Sequence, residues 1–316
     1  MANWTTDDIP SQSGRLAVIT GATGGLGYET ALALAAASAE VVLTGRNETK
    51  GNAALASIRV KHPRASISYQ HLDLASLASV REFAERFASG HDVLDLLVNN
   101  AGVMMPPVRK ETEDGFELQF GTNYLGHFAL TAQLLPVLRN ASGPRVVNLS
   151  SIAHRVRAAI HFDDLQWTRR YDPWTAYAQS KLAMLMFSLE LQRRSDAHGW
   201  GLLSNAAHPG FARTDLIANG PGEHSLANLV GRWTVQPLMS QSAAAGALPT
   251  LFAATAPGAK PGGYYGPTGL FETKGPAGVA AIAPRAQDKA VAARLWDVSE
   301  ALTNLRWPRA ETEHVS

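Results

Sequence analysis

Residues 20–27 read TGATGGLG; the apolar run Leu16-Ala17-Val18-Ile19 stands directly before them and an Ala- and Leu-rich stretch, 28–37, directly after. This spacing predicts a strand, a glycine turn and a helix. A short strand feeding a helix N-terminus gathers unpaired backbone N–H groups and the positive end of the helix dipole at one point, which suits a phosphate. The three glycines have separate tasks there: Gly21 makes a tight turn, Gly25 lets backbone approach a pyrophosphate, and Gly27 lets the helix pack closely on the strand. The pattern is G-x-x-x-G-x-G, whereas most dinucleotide folds carry G-x-G-x-x-G. A plain structural turn leaves the same letters, so the rest of the chain decides between the two.

Short apolar runs recur near 16–20, 40–44, 66–72, 93–98, 145–150, 201–207 and 262–265, and helical patterns fall near 25–38, 48–61, 76–89, 112–139, 174–195 and 241–254. Runs of this kind are buried on both faces of a parallel sheet. Their alternation with helices predicts an α/β chain: one doubly wound, Rossmann-type parallel sheet of about seven strands flanked by helices, a single domain over 1–316. Ligands of such sheets bind outside the carboxyl ends of the strands, and the glycine turn, Asp73, Asn99, Ser151 and Pro209 all follow strand ends. Two stretches interrupt the alternation, 152–173 and 211–240, and are expected to wall a substrate pocket. The piece 256–284 reads as an irregular crossing. Residues 285–305 read as a C-terminal helix packing through Val291, Leu295, Trp296 and Leu302, either as a contact between copies or as cover for the domain.

The chain has 316 residues, 46% of them hydrophobic, enough for a well-buried core. Its 28 basic and 27 acidic residues leave a net charge of +1, so no broad field draws it to nucleic acid or to an anionic membrane. It has no cysteine, which rules out disulfides, thiolate catalysis and cysteine metal sites. No His-Glu-x-x-His or comparable cluster occurs, and no metal is expected. No run approaches the ~18 apolar residues of a membrane span, and the first ten residues lack a secretory pattern. The expectation is a cytoplasmic protein whose partners are small molecules and copies of itself.

Tyr177 and Lys181 are four residues apart and share one face of a helix. A free tyrosine titrates near ~10, and a fixed ammonium close by favours the phenolate and lowers that value. The same spacing also describes an ordinary surface pair. The wider set is Asn99-Asn100-Ala101-Gly102, Asn123, Ser150-Ser151, Tyr177-Ala178-Gln179-Ser180-Lys181 and His208-Pro209-Gly210, all after the glycine turn. In this order it resembles the short-chain dehydrogenase/reductase family over about residues 14–270. The wide gap between Ser151 and Tyr177, with NLSSIAH at 148–154, resembles the retinol dehydrogenase-like and protochlorophyllide reductase-like branch.

The resemblance implies the following roles. Tyr177 is the general acid/base on the substrate oxygen, Ser151 orients the carbonyl or alcohol, and Lys181 binds nicotinamide ribose and tunes Tyr177. Asn123 holds a water leading from Lys181 to solvent. Both serines end a strand; the family motif selects Ser151, with Ser150 the fallback. Gly21, Thr23, Gly25, Leu26, Gly27, Arg46, Asp73, Leu74, Asn99, Ala101, Gly102, Pro209, Gly210 and Thr214 contact the cofactor, together with Tyr177 and Lys181, and Asn99 also ties adjacent strands. Asp73 is also readable as a helix cap, Pro209-Gly210 as a turn, and His154 and His161 as structural residues near the pocket entrance.

The second strand ends Thr44-Gly45-Arg46-Asn47. An acidic residue there favours NAD, whereas a guanidinium favours the 2′-phosphate of NADP through charge-assisted bonds. Arg46 therefore points to NADP, with NAD left open, unless it is only a solvated loop arginine. The expected reaction is hydride transfer between NADP(H) and a carbonyl or secondary alcohol. Phe211, Leu216, Leu229, Trp233 and Met239 suggest an apolar or aromatic small-molecule substrate, though core packing leaves the same trace. The alternatives are reduction of a C=C bond by the same tyrosine and lysine, and a non-catalytic dinucleotide sensor. The resemblance also implies a homodimer or homotetramer.

Overall fold

The computed structural model describes residues 3–212 and 241–308. Eight strands make one sheet: β1 Leu16–Ile19, β2 Glu40–Gly45, β3 Ile67–His71, β4 Leu96–Asn99, β5 Arg145–Leu149, β6 Leu203–Ala207, β7 Tyr264–Pro267 and β8 Ala277–Val279. Their order is β3-β2-β1-β4-β5-β6-β7-β8. Every pairing is parallel except β7 with β8. The order reverses between β1 and β4, which opens a crevice beyond their carboxyl ends. The eighth strand lies inside the piece expected to be irregular. It is only three residues long, with a glycine in the middle, Ala277-Gly278-Val279, too short for an apolar run to announce it.

The helices are α1 Gly25–Ala36, α2 Glu48–Lys61 and α3 Leu77–Gly90, then a composite α4, α5 Pro173–His198, α6 Ala243–Thr255 and α7 Lys289–Thr303. The composite α4 joins a turn Leu118–Phe120, a π-helical turn Gly121–Leu125 and the regular Gly126–Arg139. The periodicity placed its start at 112, but residues 111–117 turn back on themselves, with a bridge between Glu111 and Glu117. Glu117 then caps the helix by accepting from the N–H groups of Gln119 and Phe120.

The core has a layer on each side of the sheet. One packs α3, α4, α5 and α7 through Phe83, Phe128, Phe187 and Trp296; the other packs α1, α2 and α6 through Ile19, Leu34, Ile58 and Leu251. Each such side chain contributes about 1.5–3 kcal/mol when fully buried. Most of the 211–240 stretch, with Leu216, Leu229, Trp233 and Met239, lies outside the described residues. Among the described residues no helix is long and apolar enough to cross a membrane.

Candidate active site

The turn between β1 and α1 begins with Thr20, whose hydroxyl oxygen accepts from the N–H groups of Asn100 (2.8 Å) and Ala101 (2.9 Å). Asn100 replies by donating its side-chain amide to the Thr20 carbonyl at 2.7 Å. The loops after β1 and β4 are thereby locked together across the crevice. Gly21 and Gly25 take φ of +64° and +54°, the left-handed region that side chains resist. A Cβ on Gly27 would lie 2.5 Å from the Gly21 carbonyl oxygen. The N-cap, Gly24, offers no side chain to the first N–H groups of α1, which leaves those donors and the positive dipole end for an anion. Donors, dipole and glycine spacing fit a pyrophosphate. Thr23 and Leu26 flank this turn, half-buried: the Thr23 methyl lies where a Cβ on Gly45 would go, and Leu26 approaches Gly246.

Asn99 ties adjacent strands as expected: its fully buried amide donates to Asn148 Oδ1 (2.8 Å) on β5 and to Thr131 Oγ1 (3.0 Å) on α4. Ala101 and Gly102 do line that edge, half-buried. A Cβ added at Gly102 would lie 3.1 Å from Asn123 Oδ1 and 3.6 Å from Lys181 Nζ, so glycine is what lets these groups meet.

Asn123 sits in the π turn, fully buried, with its Oδ1 accepting from Val103 N–H (2.7 Å) and its Nδ2 donating to the Val103 carbonyl (2.9 Å) and Ser180 Oγ (3.0 Å). Its own carbonyl accepts from His127 Nδ1 at 2.9 Å. That bond puts the proton of the neutral ring on Nδ1, so Nε2 accepts from the Thr20 hydroxyl at 2.8 Å. A continuous chain of bonds thus joins the glycine turn to Asn123 through His127.

On the other side, β5 delivers the two serines. Ser150 is buried and its hydroxyl is spent on the Lys181 carbonyl (2.8 Å). Ser151 is half-buried and its hydroxyl meets the Tyr177 side chain, while it also accepts from Ala153 N–H at 3.2 Å. The strand alternation therefore favours Ser151. His154, expected near the entrance, is fully buried one turn later and hydrogen-bonds the Ser151 carbonyl at 2.7 Å.

Asp172 starts α5, its carboxylate accepting from Thr175 N–H at 2.8 Å with Pro173 at the first helical position. One helical turn then separates Tyr177 from Lys181. The ammonium donates to the Leu149 carbonyl at 3.0 Å and stands 5.9 Å from the centre of the Tyr177 ring. The spacing argument expected this ammonium to lower the phenol. Burial instead pushes Tyr177 up to about 12, with only the Ser151 hydrogen bond acting downwards. Burial likewise brings Lys181 down to about 8. The sign of the Tyr177 shift is thus reversed, because desolvation of the charged form outweighs a cation that lies across the ring rather than against the phenol oxygen.

Arg46 is exposed at the end of β2, and its guanidinium has no ion pair among the described residues. Asp73 does not cap α3; Ser76 does, accepting from Ser79 N–H. The Asp73 carboxylate accepts instead from Ala75 N–H at 2.9 Å, and Leu74 is buried beside Gly126. Pro209 and Gly210 leave β6 with Gly210 at φ +62°. Thr214 lies outside the described residues. Among those described, no cluster of three His, Asp or Glu residues could hold a metal. Thr20, Asn100 and His127 went unread as site residues. Thr20 opens the glycine motif and Asn100 is the second letter of Asn-Asn-Ala-Gly, but His127 has no local signal, because its side-chain partner Thr20 lies more than a hundred residues earlier.

A family model described as short chain dehydrogenase matches residues 15–222. Human retinol dehydrogenase 13 is 43% identical over 301 residues, covering 93% of this chain and 86% of that protein. Mouse polyprenol dehydrogenase is 44% identical over 253 residues, 79% of this chain and 74% of that protein. Among solved structures, a Mycobacterium paratuberculosis protein superimposes with a TM-score of 0.79 at 40% identity, covering 97% of this chain and all of that one (100%).

Proposed function

Because this chain belongs to the short chain dehydrogenase family, we propose that it is an NADP(H)-preferring oxidoreductase that interconverts a carbonyl and an alcohol on a long apolar molecule of isoprenoid character. The observation that carries the reading is that Ser151 meets Tyr177, that Lys181 stands 5.9 Å from the Tyr177 ring, and that Lys181 and Asn123 both lie beside Gly102, at the crevice where the sheet order reverses. The glycine turn suits the pyrophosphate and the free Arg46 guanidinium suits a 2′-phosphate. The bound nicotinamide supplies or accepts the hydride.

The remaining chemistry belongs to the protein. Tyr177, protonated at neutral pH, donates its phenolic proton to the carbonyl oxygen in reduction and takes it back in oxidation. Ser151 holds that oxygen against the phenol. Lys181, charged below about 8, would hold the ribose hydroxyls beside Tyr177. Asn123 is fixed at both ends of its amide and keeps the loop after β4 beside Lys181. Reduction is therefore favoured at neutral pH, and oxidation speeds up as pH rises and the phenolate becomes accessible.

The substrate class rests on two supports. Retinol and polyprenols, named in the relatives, are both isoprenoid alcohols. In addition, Trp174 stands 6.4 Å from the Tyr177 ring, and Met104 and Met105 pack, partly buried, against the same core layer. The 152–173 segment forms one wall in this reading, held by Gln179 bonds to His161 N–H and the Leu165 carbonyl. NADPH consumption with retinal, a long-chain polyprenal and a short aliphatic aldehyde tests it, with Tyr177→Phe as control. Turnover of the two isoprenoid aldehydes that vanishes in the control is expected; tight cofactor binding without turnover would overturn it.

A further inference from the structure

Glu272 contacts three separate segments with one carboxylate. Its Oε2 accepts from His208 Nε2 at 3.0 Å and from Arg155, with which it forms an ion pair, and its Oε1 accepts from Ala281 N–H at 2.9 Å. His208 follows β6, immediately before Pro209 and Gly210, and is fully buried; Arg155 lies four residues after Ser151 in the short helix that Ser151 caps. Ala281 follows β8.

The tautomer of His208 is fixed by its neighbours. Gly210 N–H donates to Nδ1 at 3.2 Å, so the ring proton sits on Nε2 and points at Glu272. The ring fits because residue 266 is glycine: a Cβ there would lie 2.0 Å from His208 Nε2. Phe211 N–H then donates to the Thr273 carbonyl at 2.7 Å, binding the same exit segment to the residue after Glu272.

The backbone is bent to make these contacts. Phe271 and Glu272 take φ of +52° and +55°, two successive left-handed residues without glycine, and the Phe271 side chain is left exposed. Such a conformation persists only where the surroundings over-determine it, and here the carboxylate's bonds do so.

We propose that Glu272 is a positioning residue of the active site, a clamp that fixes the Pro209-Gly210 exit of β6 through His208 and the Ser151 helix through Arg155. The inference rests on the dehydrogenase reading, in which Pro209-Gly210 covers the nicotinamide end of the cofactor. Its selectivity distinguishes it from a structural anchor: the clamp touches the nicotinamide side only, and the adenosine side is held more than one strand away by Gly45, Arg46 and Asp73.

The test compares NADPH with its fragment adenosine 2′,5′-bisphosphate, both measured by calorimetry on the full chain, alongside aldehyde turnover. Glu272→Ala is expected to weaken NADPH about tenfold, the scale of one lost charge-assisted hydrogen bond, and to leave the fragment within about twofold. Its kcat is expected to fall about tenfold or more with KM for the aldehyde little changed. Glu272→Gln keeps an oxygen for the His208 N–H and is expected to recover part of the kcat and of the NADPH affinity. Equal loss of NADPH and fragment binding in both variants would mean a general structural role, and wild-type values for both ligands would mean no clamp; either overturns the proposal while leaving the dehydrogenase reading intact. Failure of the wild-type chain to bind either ligand overturns both.

Discussion

Arg46 is the residue on which cofactor choice turns. It follows β2 directly, is exposed, and has no ion pair among the described residues to give up when a phosphate arrives. A guanidinium–phosphate contact is worth about 1.5–3 kcal/mol. Arg46→Ala is therefore expected to weaken NADPH binding by about tenfold to a hundredfold and to leave NADH within about twofold, as measured by fluorescence titration; equal losses would remove the 2′-phosphate argument. The residue scale is also where the sequence was most readable. Tyr177, Lys181 and Ser151 could be found because the order of the motifs resembles the family's, with the helix period placing Tyr177 and Lys181 on one face. The electrostatic balance could not, since Lys181 was expected to lower Tyr177 and burial raises it to about 12. Burial is a property of the packed molecule, supplied here by residues far away in the chain. The role of Asn100 in the turn was not legible for a similar reason, whereas the tie that Asn99 makes between adjacent strands was expected. Their neighbours in space, Asn148 and Thr20, decide which amide is committed to the sheet and which to the turn.

Helix α4 shows what periodicity leaves out. Its apolar pattern was legible, but the π turn at Gly121–Leu125 was not, because one extra residue per turn shifts the pattern too little to notice. That turn places the Asn123 carbonyl against His127, whose ring reaches Thr20. Burial brings His127 down to about 3, far below its usual 6.5, and brings His154 down to about 4. In both cases the unfolded chain binds a proton that the folded chain refuses. Stability is thus complete above about pH 6.5 and falls as pH drops towards 4. Each such proton contributes a slope of about 1.4 kcal/mol per pH unit within its window. In urea titrations between pH 7 and 4, His127→Gln is expected to lose about 1–3 kcal/mol at pH 7 through its broken bonds and to show a slope shallower by about one proton. An unchanged slope would place the acid sensitivity elsewhere. Cofactor affinity should fall with the same substitution, since the ring is the link between the glycine turn and Asn123.

At the scale of the whole molecule, the C-terminal helix had two readings, a contact between copies or cover for the domain. The structure gives it a face on its own chain. Trp296 stands edge-on to Phe128 at 5.1 Å and against Phe187 at 5.8 Å, and Trp307 closes the cluster over Phe128 at 5.5 Å and Trp200 at 5.6 Å. Ser299 adds a buried hydrogen bond of 2.7 Å to Tyr124, the neighbour of Asn123 in the π turn. The four packing residues could be read from their helical spacing, but the surface that receives them could not, because α4 and α5 lie about ninety residues or more earlier. This packing makes α7 part of the support for the active site. Trp296→Ala is expected to destabilise the chain by about 3–5 kcal/mol in urea unfolding, the usual cost of removing a buried indole. The loss should be larger than for Leu302→Ala, whose side chain only partly enters the core. A chain ending at Asp288 uncovers Phe128, Phe187 and Tyr124 together, an aromatic patch of the kind that drives association. It is expected to aggregate or to elute as a larger species in size-exclusion chromatography. If it instead stays folded, unassociated and able to bind NADPH as the full chain does, α7 is cover without a structural task, and the π turn holds Asn123 by its own bonds alone.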